Sequence, residues 1–286
     1  VLFDLIITGL PLMANGFLIT VSSTVDRFMI SFLLGTSTLG VYSVANIGVN
    51  VLRIIPVSIA QMLVVRFSEM AGKESSNDAI ADSIDKYTSA LSCLSSFLIS
   101  AVISVFPLLI VFLLPKFVEG IPAGRILIAD IFFLSISVPV TNWSISIGNY
   151  KSVLTLRLIT VLVEFSSIYL VIYSGAEIQY IAICVITGSA IYASSIWIVA
   201  IKTLKLSFEE SCRRLTKTFL PFFPIIVMMF MQFFAFKDGY FDSPSKAILV
   251  STLIFTITNI LIAIITFLTN KKIFGYLGDL IAKRMA

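Results

Sequence analysis

Eight long apolar runs, separated by short turns and charged loops, constrain this chain more than any other feature of its sequence. They lie at about 6–34, 38–65, 88–114, 124–147, 152–174, 179–202, 217–236 and 247–269. A helix needs about twenty apolar residues to cross ~30 Å of hydrocarbon. A closed β-barrel would also satisfy its backbone in lipid, but barrel strands alternate polar and apolar residues. These runs are apolar on most sides, so helices are expected. Composition agrees: 13% of residues are charged and 58% hydrophobic, whereas a soluble domain carries roughly 25% charged residues. The fold class expected is all-α, a polytopic helical membrane protein with about eight transmembrane helices.

Lysine and arginine set the orientation, because they concentrate on the cytoplasmic side. One set of connections and adjoining span ends holds fourteen of the 20 basic residues, including Arg66, Lys86, Lys151, Arg157, Lys205 and Arg213. The opposite set holds Lys116, Arg125, Lys237 and Lys246, while Arg27 and Arg53 fall inside spans. Both ends of the chain are therefore expected in the cytoplasm. The first residues carry no charged segment or cleavage site of a signal peptide. A chain opening on Val1 predicts that a preceding part of the natural protein lies beyond this sequence.

Three cytoplasmic stretches read as interfacial helices. In 77–88, Ile80, Ile84 and Tyr87 recur at helical spacing beside Asp78, Asp82 and Asp85, a pattern read as a solvated acidic face. Ser207 and Glu210 have capping-box spacing ahead of Arg213 and Arg214. In the tail, Ile273, Phe274, Leu277, Leu280 and Ile281 share one face, with Lys271, Lys272, Lys283 and Arg284 around it. That is the pattern of a basic amphipathic helix on an anionic leaflet, or of a solvated tail with a stop-transfer cluster.

Several kinds of chemistry find no residues to perform them. The chain has no histidine, and Cys93, Cys184 and Cys212 fit no metal-binding spacing; they read as reduced and structural. No Gly-rich phosphate-binding loop is present. The net charge of +4 comes from residues placed between spans, so it points to membrane lipid and not to nucleic acid. No cofactor or metal is expected.

Polar residues at membrane depth are the informative ones. In the second span Asn46, Asn50, Arg53 and Gln61 fall within an arc of about 80° at 100° per residue. Val57 interrupts that stripe, and Pro56 is expected to bend the helix. The first span repeats the theme with Asn15, Ser22 and Asp26, and with Pro11 near its start. The fourth aligns Asp130, Ser137, Thr141, Ser144 and Gly148; the fifth aligns Arg157, Thr160, Glu164 and Ser167. Neutral polar side chains often join membrane helices by hydrogen bonds. Intramembrane charges are costly and normally face a bundle interior or a watery cavity. Arg53 lies about 20 Å beyond the end of the turn at Gly40, and Asp26 about 14 Å before its start at Gly35, at 1.5 Å per residue. The two are therefore either cavity groups or a buried Asp26–Arg53 pair. Glu164, mid-span and seven residues from Arg157, reads as a coupling carboxylate or as the counter-ion of Arg157.

At these residues the chain resembles the polysaccharide and O-antigen flippases of the multidrug, oligosaccharidyl-lipid and polysaccharide exporter superfamily. The resemblance is carried by Pro11–Leu12, by Asp26–Arg27–Phe28–Met29–Ile30, and by the run from Leu34–Gly35 to Gly40–Val41–Tyr42. The last element is one residue longer than the family's Gly-Tyr pair. Arg53 with Pro56, Gly148–Asn149–Tyr150–Lys151 and the turn at Gly175 add to it. It implies that 1–202 is the second six-helix lobe of a two-lobe transporter, and 203–286 two additional helices with a basic amphipathic tail. The whole protein would have about twelve to fourteen helices and work by alternating access. The implied setting is the bacterial plasma (inner) membrane. The implied cargo is an undecaprenyl-pyrophosphate-linked oligosaccharide, a unit of O-antigen, capsule or exopolysaccharide. The implied protein partners are the N-terminal lobe and the polysaccharide polymerisation machinery.

Under that reading Arg53 and Arg157 serve the phosphates, since a guanidinium fork binds two oxygens. Asn46, Asn50 and Gln61 serve sugar hydroxyls, and Asp26 and Glu164 complete the cavity. A cation-coupled multidrug exporter of the same fold is the alternative, using Asp26 or Glu164 to exchange ions, although a central arginine disfavours cationic drugs. A membrane-embedded polyprenyl-phosphate transferase would need paired carboxylates at an outer loop to hold Mg²⁺ or act as base, and the sequence offers none there. A transporter and not an enzyme is expected.

Overall fold

The computed structural model describes residues 2–73, 76–237 and 244–269. Regular structure among them is helical: α1 Leu2–Ser22, α2 Val25–Leu33, α3 Thr36–Gly72, α4 Asn77–Leu113, α5 Ile121–Ser146, α6 Tyr150–Tyr173, α7 Ile178–Leu204, α8 Phe208–Phe219, α9 Phe223–Lys237 and α10 Pro244–Thr269. Short 3₁₀ turns at Pro115–Gly120 and Leu220–Phe222 lead into α5 and α9. Seven stretches are long and apolar enough to cross a membrane, with α5 and α9 counted through their turns. The bent pair α1–α2 makes an eighth if taken as one span. The chain is an all-α polytopic helical protein, and each apolar run of the sequence has its helix.

The first run is not one continuous helix. Its two parts meet at 46°, across Ser23 and Thr24. The cause is a cluster of hydroxyls that compete for the helical backbone. Ser23 Oγ donates to the Thr20 carbonyl at 2.9 Å, and Thr24 Oγ1 to the same carbonyl at 2.8 Å. Arg27 then donates through Nη2 to the carbonyl of Ser23, an oxygen at the break itself. Pro56, by contrast, leaves α3 unbroken from Thr36 to Gly72.

The stretch 77–88 is not a separate interfacial helix either; it forms the first three turns of α4. Both α3 and α4 have 37 residues, about 55 Å at 1.5 Å per residue, so they overrun a ~30 Å hydrocarbon layer together. Ile80 and Ile84 are buried there with Leu63 and Phe67 of α3. Nor is the acidic face beside them simply solvated. Asp85 takes Lys217 at 2.9 Å, and Asp82 takes Arg214 at 2.9 Å, which fastens α8 to α4. Arg214 also donates to the Ala81 carbonyl at 2.9 Å. At the start of α8, Ser207 Oγ accepts from the Glu210 amide at 3.2 Å. The other half of the capping box is diverted: the Glu210 carboxylate takes Arg214 Nη2 at 2.6 Å. The basic tail from 270 onward lies outside the described residues.

α5 is the central helix. Of its apolar stretch 78% is buried, against 22–44% in the other spans, which therefore keep large faces for lipid. It packs on α3, α4 and α7, and small residues allow the approach. Gly48 of α3 lies against Ile128, and Gly124 of α5 against the Phe106 ring. The last helices dock on α4 through polar bonds in an apolar setting. Ser100 Oγ donates to Asn259 Oδ1 of α10 at 3.0 Å, and Ser92 Oγ to the Thr218 carbonyl at 2.8 Å. These hydroxyls act as interhelical joints.

Candidate functional site: a polar cavity among six helices

The polar seams of α1, α2, α3, α5 and α6 converge, joined by α7, on one cavity of about 320 Å³. At ~30 Å³ per molecule this is space for roughly ten waters. Its lining runs along α5 from Leu127 to Ile145, about 27 Å at 1.5 Å per residue. It thus reaches the last turn of α5, at the end of the bundle that carries the basic loops.

Arg53, Asn46, Asp26 and Arg157 line this cavity, as do Asn15, Asp130, Ser137 and Thr141 from the same seams. Arg53 makes no ion pair or hydrogen bond among the described residues, and its Nε is enclosed without a partner. Asn46 Nδ2 is equally unpartnered. From the same lining, Asn15 Oδ1 and Asp130 Oδ1 are enclosed acceptors without donors. Asp130 sits in the combined fields of Arg53, Arg157 and Asp26, and shares the cavity lining with Ser189 of α7.

The Asp26–Arg53 pair is not formed. Asp26 is buried, receiving Tyr42 Oη at 2.7 Å and the Arg27 amide at 2.8 Å, with Arg27 Nε at 4.0 Å. It also sits in the first turn of α2, where helix amides favour a negative charge. Its charge is thus supported from its own helix and from α3, leaving Arg53 to the cavity.

Glu164 and Arg157 are not paired either. Glu164 lies behind the cavity wall, 1% exposed, accepting Ser22 Oγ at 2.7 Å beside the α1–α2 break. It packs so closely on Gly188 of α7 that a Cβ there would overlap the glutamate side chain. Arg157 stacks on Tyr192, its guanidinium carbon 3.5 Å from the ring centroid.

Asn50 and Gln61 are exposed and do not line the cavity. The α3 lining is Asn46, Val49, Arg53, Pro56, Val57 and Ala60. On a wheel of 100° per residue these centre about 30° to one side of Asn46, whereas Asn50 and Gln61 lie about 40° and 60° to the other. The polar stripe and the cavity face overlap at Asn46 and Arg53 and then part. Ser189, Asn142 and Tyr192 were not singled out from the sequence. Asn142 Nδ2 donates to the Ala60 carbonyl at 2.9 Å and ties α5 to α3 across the wall.

No family model, no curated protein and no solved structure matches the chain.

Chemically, the cavity gathers two cations and an amide donor with the carboxylates of Asp26 and Asp130 and the amide oxygen of Asn15. A buried polar group without a partner costs roughly 1–3 kcal/mol, so water or a ligand rich in both anionic oxygens and hydroxyls suits this lining. A purely apolar or purely cationic ligand does not.

Proposed function

We propose that the chain is part of a membrane transporter that flips a polyprenyl-pyrophosphate-linked oligosaccharide by alternating access. The observation that carries this reading is the gathering on one cavity of Arg53, Arg157 and Asn46 with Asn15 and Asp130, each of which has a side-chain polar atom that no protein group satisfies. A sugar phosphate offers oxygen acceptors to the first three and hydroxyl donors to the last two. The lipid tail would stay in the bilayer while the headgroup crosses in the cavity. The resemblance of Asp26–Arg27, Leu34–Gly35 and Arg53 with Pro56 to the O-antigen flippases supports the same cargo. The reading places the protein in a bacterial plasma membrane with its basic loops in the cytoplasm, alongside a further lobe and the polymerisation machinery. An organic cation would have to be met by Asp26 or Asp130, and Asp26 is already taken by Tyr42 and the Arg27 amide, whereas Arg53 and Arg157 have no carboxylate partner.

The test is flipping of a fluorescently labelled lipid-linked glycan in proteoliposomes. Wild type is expected to flip it and Arg53→Ala to fall to the rate of empty liposomes. Wild-type flipping by the alanine variant would remove Arg53, and with it the anion-binding role of the cavity.

A further inference from the structure

An arginine held in a membrane cavity is usually held by a carboxylate. That partner orients it but also neutralises it, and occupies the N–H edges that a phosphate would use. Arg157 is held differently. Its guanidinium lies over the Tyr192 ring at 3.5 Å. Among the described residues it makes no hydrogen bond or ion pair, and its Nε is enclosed and unpartnered. Tyr192 is itself fixed: it is 2% exposed, and its hydroxyl lies 3.1 Å from Thr141 Oγ1 of α5. A ring face attracts a cation through its quadrupole without cancelling the charge. It engages one face of the planar guanidinium and leaves the in-plane N–H groups to other partners.

We propose that Tyr192 is the positioning residue of the cavity: it orients Arg157 for an anionic headgroup while keeping its charge and its N–H edges available. Thr141 sets the ring, the ring sets the guanidinium, and the guanidinium lines the same cavity as Arg53. The proposal rests on the reading of this cavity as an anion site. It adds a residue outside the cavity lining, on α7, whose contribution is to affinity through Arg157.

The test is equilibrium binding of farnesyl pyrophosphate to the purified protein in nanodiscs, with thermal melting of the unliganded protein alongside. Arg157→Gln is expected to weaken binding. Tyr192→Leu is expected to weaken it by roughly 2- to 30-fold, the range of a desolvated cation–ring contact. Arg157→Gln should then add little in the Tyr192→Leu background, because both changes remove one function. Tyr192→Phe keeps the ring face and should bind within about twofold of wild type, since it loses one hydroxyl contact of modest net worth. Progressive fluorination of a phenylalanine introduced at 192 drains the ring face of negative potential with little change of shape. Binding should weaken stepwise with it while the melting temperature holds, which a merely structural role does not produce. The fluorinated series also carries the test if the leucine variant does not reach the membrane. Affinity indifferent to fluorination, or losses from Tyr192→Leu and Arg157→Gln that simply add, would overturn the positioning role and leave the anion site standing. Absence of binding by wild type, or undiminished binding by the Arg53→Gln, Arg157→Gln double variant, would overturn the anion site and this proposal with it.

Discussion

At the scale of single residues, the central contrast is between a carboxylate that is fully served and an arginine that is not. Asp26 holds Tyr42 at 2.7 Å and the Arg27 amide at 2.8 Å, and buried Asp130, which lies in the fields of both Arg53 and Arg157, keeps the second cation, so truncating Arg53 leaves Asp26 its donors and Asp130 one cation. Arg53→Ala is therefore expected to accumulate in the membrane and to melt as wild type does while losing transport. Arg53→Lys should recover only part of it, because a point charge lacks the planar fork. Tyr42→Phe should behave the opposite way. It leaves Asp26 Oδ2 buried without its donor, a loss of about 1–3 kcal/mol, read as a lower melting temperature. Had the ion pair been formed, these two stability outcomes would exchange. Glu164 is a third case. Its carboxylate bonds Ser22 at the break between α1 and α2 and leaves Arg157 to Tyr192. Glu164→Gln keeps an acceptor for Ser22, so the fold is expected to survive and Arg157→Gln to bring no rescue. If Glu164 couples transport to protons, flipping by Glu164→Gln should lose its dependence on an imposed pH gradient. Identical gradient dependence in variant and wild type would reduce Glu164 to a structural group. The sequence made these residues visible because a charge at membrane depth stands out in an apolar run. It could not assign their partners, since Tyr42 and Tyr192 look like ordinary aromatic residues until α2 meets α3 and α6 meets α7.

At the scale of elements, periodicity located every span but not the direction in which each seam points. Asn46, Asn50, Arg53 and Gln61 share one arc of α3, yet the cavity lies off its centre and takes Asn46 and Arg53 while Asn50 and Gln61 stay exposed. Which side of the arc is covered depends on how α5 approaches, and that depends on Gly48 against Ile128 and Gly124 against Phe106. Continuity was similarly out of reach. The apolar pattern across 6–34 is unbroken in character, and the break comes from side-chain bonds of Ser23 and Thr24 that only the folded helix shows. The stretch 77–88 looked separate because its acids suggested water; two of them instead hold Arg214 and Lys217 of α8. Helix approach yields a direct test at Gly188. A methyl group there would overlap Glu164, so Gly188→Ala must push α6 from α7 or turn Glu164 away from Ser22. Overpacking of this kind costs about 1–3 kcal/mol, read as a lower melting temperature in detergent. Gly72→Ala, where the added carbon meets nothing within 4 Å, is the control expected to melt as wild type does.

At the scale of the whole molecule, the two ends of the bundle are chemically unequal, and that inequality makes the topology testable with a residue the chain already has. The ends of α3 and α7, the starts of α4 and α6, and the length of α8 lie together, because successive spans alternate in direction. They bring Arg66, Lys73, Lys86, Lys151, Lys202, Lys205 and Arg213 to one end. The opposite end, among the described residues, has Lys116 and Arg125 beside the turn from α4 to α5, Lys237 at the end of α9 and Lys246 at the start of α10. Basic loops are as a rule retained in the cytoplasm, so the proposed orientation puts this end, where the cavity lining reaches the last turn of α5, on the cytoplasmic side. Cys212 is exposed on α8 at the basic end, whereas Cys93 and Cys184 are half-buried within α4 and α7. A membrane-impermeant maleimide should therefore label inverted vesicles at Cys212 and leave intact cells unlabelled, with Cys212→Ser abolishing the signal. Thr36→Cys, placed at the exposed start of α3 at the opposite end, should reverse the pattern in the Cys212→Ser background. Labelling of Cys212 from outside intact cells would invert the whole assignment. The cavity would then reach the outer face, and the substrate would have to enter it from the side opposite to the one where cytoplasmic enzymes could build a lipid-linked glycan.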